Sequence, residues 1–372
     1  MSINGIVKKD RKTKNLIGRL RPGDIAVISH SDLDELAAIG LVESKVKCVI
    51  NTDKTISGRY PNKGPSILLD AKIPIYEAGN DFFLEIKDNE SIKIGNNTIT
   101  SSKGKLYPCT ILCCDTVTKL LDIGYKNTEK ELDKFIENTL LYAKKEKDMV
   151  LGKLKIPKTK VDIKDKHVLV VVRGKDYKKD LTAIKMYINE MKPILIGVDG
   201  GGDALLEFGY TPDIVIGDMD SVSDKCLKIA KEIIVHAYSD GKAPGLTRIE
   251  KLGLNSTIFS SPGTSEDIAM LLAYSNGADL IVAVGSHSNM IDFLEKGRKG
   301  MASTFLVRLK VGSKLVDAKG VNKLYKNKIG IKYILGLGVA ALIPILVIIF
   351  MFPPLREFFK LMEIRLRLFL GL

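Results

Sequence analysis

Residues 198–222, V-D-G-G-G-D-A-L-L-E-F-G-Y-T-P-D-I-V-I-G-D-M-D-S-V, constrain the fold of this chain most tightly. Asp199, Asp203, Asp213, Asp218 and Asp220 stand among glycines and apolar runs. The β-branched runs 194–198 and 214–216, each ended by Gly or Asp, predict short buried strands. Residues 204–208 predict a helix stopped by Gly209. Strand, helix and strand within so few residues make a parallel βαβ unit. The acids then lie at C-terminal strand ends, where open α/β sheets bind ligands. Carboxylates gathered there repel one another, so some are protonated or share a cation. Mg²⁺ suits such a place, because it takes carboxylate oxygens and substrate phosphates together. Gly200, Gly201 and Gly202 leave the backbone open to a phosphate at the helix start.

Three ordered motifs carry a resemblance: D-G-G-G-D-A-L-L (199–206), G-x-x-P-D (209–213) and G-D-M-D-S (217–221). Together they resemble the catalytic domain of thiamine pyrophosphokinase. That resemblance implies a Rossmann-like domain with a parallel sheet, and diphosphate transfer from ATP to an alcohol with Mg²⁺. It implies metal ligation by Asp218 and Asp220, with Asp199 in the same acid cluster and Ser221 at the ligand. Asp267, in T-S-E-D-I-A-M-L-L-A, would be the later acid that opens a helix. The family's Lys-Asp pair before that acid is replaced here by Pro262-Gly263-Thr264-Ser265. The β-sandwich that makes much of the family's thiamine pocket has too little chain left to form, which argues against thiamine as substrate. A second resemblance spans nearly the whole chain. The G-R-Y-P-N turn (58–62), the acid cluster, D-G-K-A-P-G-L (240–246) and a terminal apolar stretch resemble SteA-type cytokinetic-ring proteins of Gram-positive bacteria.

A chain of 372 residues holds two domains with good cores. Its net charge of +13 raises nucleic acid as a partner, but no recognition motif, zinc pattern or aromatic RNA-binding motif accompanies it. A basic surface facing anionic lipid is the favoured reading. The five cysteines form no C-x-x-C pair and fit buried thiols in a reducing cytosol. Residues 1–15 are polar and basic, with no signal-peptide core.

In order, 1–22 reads as a polar lead-in to an N-terminal α/β domain with a small β subdomain (1–156). Residues 25–28 and 48–50 predict strands, with a helix between them. The order weakly resembles the swivelling phosphohistidine domains of phosphotransfer enzymes, whose carrier histidine has no match in this loop. Arg59 either grips an anion or stabilises its own turn. Residues 82–114 alternate around a Gly95-Asn96-Asn97 turn and predict hairpins. Thr128 with Glu131 predicts a capping box opening a helix to about Met149. The thiamine pyrophosphokinase-like α/β domain follows (157–312). Its first strand, 167–172, delivers Arg173 to the ligand edge as a phosphate contact or an acid's ion-pair partner. Residues 180–191 predict the first crossover helix. Lys242 stands in the glycine-rich loop 240–246, where it either replaces the missing kinase lysine or is simply solvated. Ser265 predicts the cap of the helix 266–276. His236 and His287 both follow strands, where each either lines the cleft or is merely a polar edge residue.

A juxtamembrane segment (313–332) leads to 333–355, which carries no charge and is long enough for a hydrocarbon core of about 30 Å. Lys323, Lys326, Lys328 and Lys332 precede it and place the large N-terminal part in the cytoplasm of a single-pass membrane protein. The tail 356–372 is basic and amphipathic, and would lie on lipid or pair with another membrane protein. The expectation is a membrane-anchored division or envelope protein whose kinase-like domain binds Mg²⁺, a nucleotide such as ATP or another phosphate ligand, or a protein. Its partners would be a membrane protein of the division machinery and further copies of itself. The alternative is an active Mg²⁺-dependent diphosphotransferase or nucleotide hydrolase. A pure scaffold, its acids only organising loops, is a third.

Overall fold

The computed structural model describes residues 2–95, 97–286, 290–295, 297–320 and 331–371. It divides into two compact units, Met1–Asn322 and Lys323–Leu372. The first unit begins with β1 (Ile3–Lys9), α1 (Thr13–Ile17), β2 (Ile25–Ile28), α2 (Glu35–Glu43), β3 (Cys48–Asn51), α3 (Gly64–Asp70), β4 (Ile75–Ala78) and α4 (Asn80–Glu85). Strands β5 (Ser91–Gly95), β6 (Thr98–Thr100) and β7 (Leu106–Leu112) follow. The seven strands close into a barrel of order β1-β2-β3-β4-β7-β6-β5. Neighbours from β1 to β4 are parallel, and the remaining pairs are antiparallel. Side chains alternate between the two faces. Ile25 and Val27 of β2 fill the barrel with Phe82, Ile92 and Tyr107, while Ala26 and Ile28 pack outward with Leu41 and Leu68.

This corrects two expectations. Residues 1–22 are no lead-in. β1 pairs with β2 on one side and β5 on the other, so it closes the barrel. Its alternating I-N-G-I-V-K-K pattern is half polar, which hid a strand with only one face buried. The hairpin strands are no separate subdomain; they supply the barrel wall and leave no free edge. Phe82, expected in that alternation, lies in α4.

Helix α5 (Cys114–Glu146) runs for 33 residues, starting well before the expected capping box. Thr128 sits inside it and donates to the Gly124 carbonyl at 3.0 Å. Glu131 instead pairs with Arg59 at 3.0 Å and Lys134 at 2.8 Å. Arg59 therefore fixes its loop to the helix. Gly124 permits the crossing, since a Cβ there would meet the Tyr60 backbone at 2.6 Å.

The remainder of the unit comprises β8 (His167–Val172), α6 (Tyr177–Ala183), α7 (Lys185–Met191), β9 (Ile194–Val198), α8 (Gly201–Glu207), β10 (Ile214–Gly217) and α9 (Asp224–Ile229). Then come β11 (Glu232–Ala237), α10 (Leu246–Lys251), β12 (Thr257–Ser260), α11 (Ser265–Ser275), β13 (Leu280–Val284), α12 (Met290–Glu295), α13 (Ala302–Val311) and β14 (Leu315–Asp317). The sheet order is β12-β11-β10-β9-β8-β13-β14, and every pair is parallel. The strands are nearly continuous apolar runs because helices cover both faces. Val168 and Val170 pack beneath α11 and α13, while Leu169 and Val171 face α6 and α8. The first crossover is two helices rather than one, broken at Ile184. The cap of α11 is Thr264 rather than Ser265.

In the second unit a helix spans Ile331–Met351 with Pro344 inside it, and another spans Pro353–Leu370. Phe352 between them is extended, because the residue before a proline is driven from the helical region. The expected span over 333–355 is therefore broken by a bend: segments Leu335–Ile348 and Pro353–Leu370 meet at 104°. Among the described residues no single helix is long and apolar enough to cross a membrane, but this bent pair passes by length and composition together. Lys323, Lys326, Lys328 and His287 lie outside the described residues.

Candidate functional site

The site forms where β9 and β10 end side by side. The Asp199 amide still donates to the Ile216 carbonyl at 3.0 Å, extending the ladder by one bond. Its backbone then turns left-handed, at φ 47°, and its carboxylate lies against Gly217. A Cβ at Gly217 would approach Asp199 Oδ1 to 1.9 Å, so only glycine lets the carboxylate lie there. Asp199 Oδ1 accepts from the Met219 amide at 3.0 Å, and Asp218 Oδ1 accepts from the Asp220 amide at 2.9 Å. Met219 is buried at φ 63°. This second left-handed non-glycine residue turns the chain between Asp218 and Asp220. Backbone strain of this kind persists only where the surroundings over-determine it.

Arg248 of α10 supplies that restraint. Its guanidinium donates to the Met219 carbonyl, to the Val222 carbonyl at 2.8 Å and to the Asp224 carboxylate. Gly245 packs directly on the Asp218 carbonyl. Asp203 accepts from the Ser223 amide at 2.8 Å and from its hydroxyl, and Ser223 caps α9. The turn is thus held from both sides.

The electrostatics follow. Burial and then the adjacent Asp218 charge push the Asp199 carboxyl up to about 7, with Lys14 opposing. Lys12 Nζ stands 3.2 Å from Asp220 Oδ2, and Lys14 Nζ donates to Ser221 Oγ at 3.1 Å. Both lysines come from the barrel, at and beside the start of α1. A further bridge between barrel and sheet joins Lys175 to Glu35. His236, at the end of β11, is held neutral because burial lowers its pKa. Its Nε2 faces the Ser261 carbonyl at 3.0 Å and must donate there. Its Nδ1 then accepts from Ser265 Oγ, 3.2 Å away.

The sequence-predicted residues fall into two groups. Asp199, at the end of β9, meets Asp218 on the turn after β10, and Asp220 and Ser221 follow on that turn, facing Lys12 and Lys14. Asp267 does not join them. It is fully buried as the third residue of α11, and its Oδ2 accepts from the Thr264 amide at 3.2 Å, Ser303 at 2.7 Å and Thr304 at 3.1 Å. Burial and then Glu266 raise its pKa. A carboxyl so enclosed caps a helix rather than meeting a solvent cation. Arg173 pairs with Glu207 at 3.3 Å, not with an acid of the turn. Lys242 is 81% exposed and pairs with Asp240. Gly201 and Gly202 serve packing instead of a phosphate: added Cβ atoms would meet the Val171 carbonyl at 1.9 Å and Cys226 Sγ at 2.7 Å. A Cβ on Gly200 would make ordinary contacts with the Arg173 side chain at 3.4 Å and the Ser221 carbonyl at 3.5 Å.

For Mg²⁺ the fit is partial. Among the described residues no group of three or more His, Cys, Asp or Glu side chains is disposed to hold a metal on its own. Asp199 and Asp218 are nonetheless two adjoining carboxylates whose repulsion a cation relieves. Mg²⁺ commonly needs only one or two carboxylates when phosphate oxygens and water complete its shell.

Residues 319–370 match the SteA-like C-terminal domain family. A stretch of 104 residues is 35% identical to the 6-hydroxymethyl-7,8-dihydropterin pyrophosphokinase of Pyrococcus furiosus, covering 24% of this chain and 44% of that protein. The chain therefore spans less than half the length of this curated relative. Thiamine pyrophosphokinase from Bacillus subtilis is similar at 21% identity over 41% of this chain and 60% of its own, with a TM-score of 0.26. The 3-isopropylmalate dehydratase leuD of Methanocaldococcus jannaschii is similar at 18% identity over 39% and 99%, with a TM-score of 0.22.

Lys12, Lys14 and Arg248 were not singled out by sequence. Lys12 lies 208 residues from Asp220, so only folding juxtaposes them. Arg248 had a faint signal: it follows the 240–246 loop, which the turn itself needs as a neighbour.

Proposed function

We propose that this chain is a membrane-anchored protein of cell division or the cell envelope, and that its pyrophosphokinase-like domain binds a Mg²⁺-bound diphosphate ligand such as a nucleotide. The adjoining strand ends that bring Asp199 beside Asp218, with Asp220 on the same turn as Asp218, are the observation on which this rests. Two adjoining carboxylates, two ammonium groups and a serine hydroxyl together suit a cation and an anion in one place. The relative from Pyrococcus furiosus is named a pyrophosphokinase, which supports a diphosphate as the ligand. The SteA-like C-terminal match and the bent apolar pair support attachment to a membrane, with the basic residues before it on the cytoplasmic side. A partner within the membrane and self-association are part of this proposal.

Binding is favoured over turnover because His236, whose imidazole feels the Asp218 charge, has both nitrogens engaged. One observation favours the second reading, an active diphosphotransferase. A carboxyl raised to about 7, as at Asp199, suits a general base. Incubation with ATP, Mg²⁺ and a panel of alcohols separates the two. The first reading expects no AMP; AMP release abolished by Asp220→Asn would establish the second. For the cellular role, a fluorescently tagged chain in a Gram-positive host is expected to collect at the septum. A uniform membrane signal would count against a division role.

A further inference from the structure

The barrel and the sheet meet at the acid turn through two side chains that no motif accounts for. Thr13 and Leu16 of α1 are buried. Thr13 Oγ1 hydrogen-bonds His30 Nδ1 at 2.9 Å, and His30 Nε2 reaches Asp34 at 3.3 Å. Asp34 is itself fixed as the cap of α2, accepting from the Ala37 amide at 2.7 Å. The backbone of α1 is thereby anchored to the barrel at Thr13. Lys12 and Lys14 flank that anchor and are exposed, so they extend away from the barrel core. They end on successive residues of the turn, Asp220 and Ser221.

Such pairs between exposed groups contribute little to stability, so holding the barrel in place does not explain them. Their positions do suit a ligand. A Mg²⁺ ion held by Asp199 and Asp218 would bring its phosphate ligand to the neighbouring Asp220–Ser221 rim. We propose that Lys12 and Lys14 are the phosphate-gripping arm of this site, so that the barrel completes in the same chain a diphosphate site that the sheet alone leaves half built. This rests on the diphosphate reading above. The lysines exchange a carboxylate and a hydroxyl for phosphate oxygens when the ligand arrives, forming charge-assisted hydrogen bonds.

The test is calorimetric titration of the full chain with Mg²⁺ alone, Mg²⁺ with inorganic pyrophosphate, and Mg²⁺ with ADP. The two phosphate arms distinguish a free diphosphate from a nucleotide. The double variant Lys12→Ala/Lys14→Ala is expected to weaken whichever ligand binds by on the order of tenfold or more. Affinity for Mg²⁺ alone should not fall, and Lys12→Arg/Lys14→Arg should restore most of the loss. If the alanine variant binds as tightly as the native chain while Asp218→Asn abolishes binding, the arm is refuted and the acid-turn reading stands. Equal weakening toward Mg²⁺ alone would also refute the arm. A native chain that binds neither phosphate ligand overturns both readings.

Discussion

Asp199 carries the most unusual single charge near the turn. Its carboxyl is raised by burial and by Asp218 to about 7, against an ordinary value near 4. The folded state therefore binds more protons than the unfolded chain between those values. Stability from this group is fully present below about pH 4 and is lost as pH rises through about 7. Thermal denaturation of Asp199→Asn should show a flatter pH dependence across that window than the native chain. Ligand binding should follow the opposite course, because Mg²⁺ must displace the proton. Affinity should rise with pH up to about 7 and level off above it. The acids themselves were legible in the sequence, since so many carboxylates between apolar strands demand a shared explanation. The pairing of Lys12 with Asp220 was not, because a charge on a short polar segment carries no mark of its tertiary partner. Asp267 was misread for a related reason: a helix-opening Asp looks the same whether it caps its own backbone or faces a cleft.

At the scale of elements, the strength of a pattern followed how far burial dictated it. The parallel strands β8 to β11 stood out as continuous apolar runs because helices cover both their faces. β1 did not, because one of its faces is polar, and the T-x-x-E signature misled because α5 had already begun upstream. The three glycines marked the correct place for an incomplete reason. At Gly201 the helix backbone abuts β8, with 1.9 Å from an added Cβ to the Val171 carbonyl. Gly201→Ala should therefore destabilise the chain by about 3 kcal/mol, measured by denaturant unfolding, whether or not ligand is present. Arg248 acts differently, holding a strained turn from outside. Arg248→Ala should lower stability by about 1–2 kcal/mol and also weaken Mg²⁺-diphosphate binding, since the released turn no longer fixes Asp218 and Asp220. Loss of stability with unchanged binding would show that the turn keeps its shape without the guanidinium.

At the scale of the whole molecule, the barrel and the sheet share one compact unit, and the apolar helices belong to another. The sequence indicated an apolar terminal segment plainly, but its break falls at Pro353 and Pro354, where composition suggested one continuous span. Membrane attachment is tested by removing 331–370: the shortened chain should move from the membrane to the soluble fraction on cell fractionation. Retention on the membrane would place the anchor elsewhere. The account as a whole stands on the turn between β10 and α9 receiving a cation and a diphosphate together. Crystals of the chain grown with Mn²⁺ and ADP, examined for anomalous scattering from the metal, test this most directly. The account predicts a Mn²⁺ peak at bonding distance from Asp199 or Asp218, with the diphosphate between it and the ammonium groups of Lys12 and Lys14. Nucleotide bound elsewhere, or a metal peak away from these carboxylates, would contradict it.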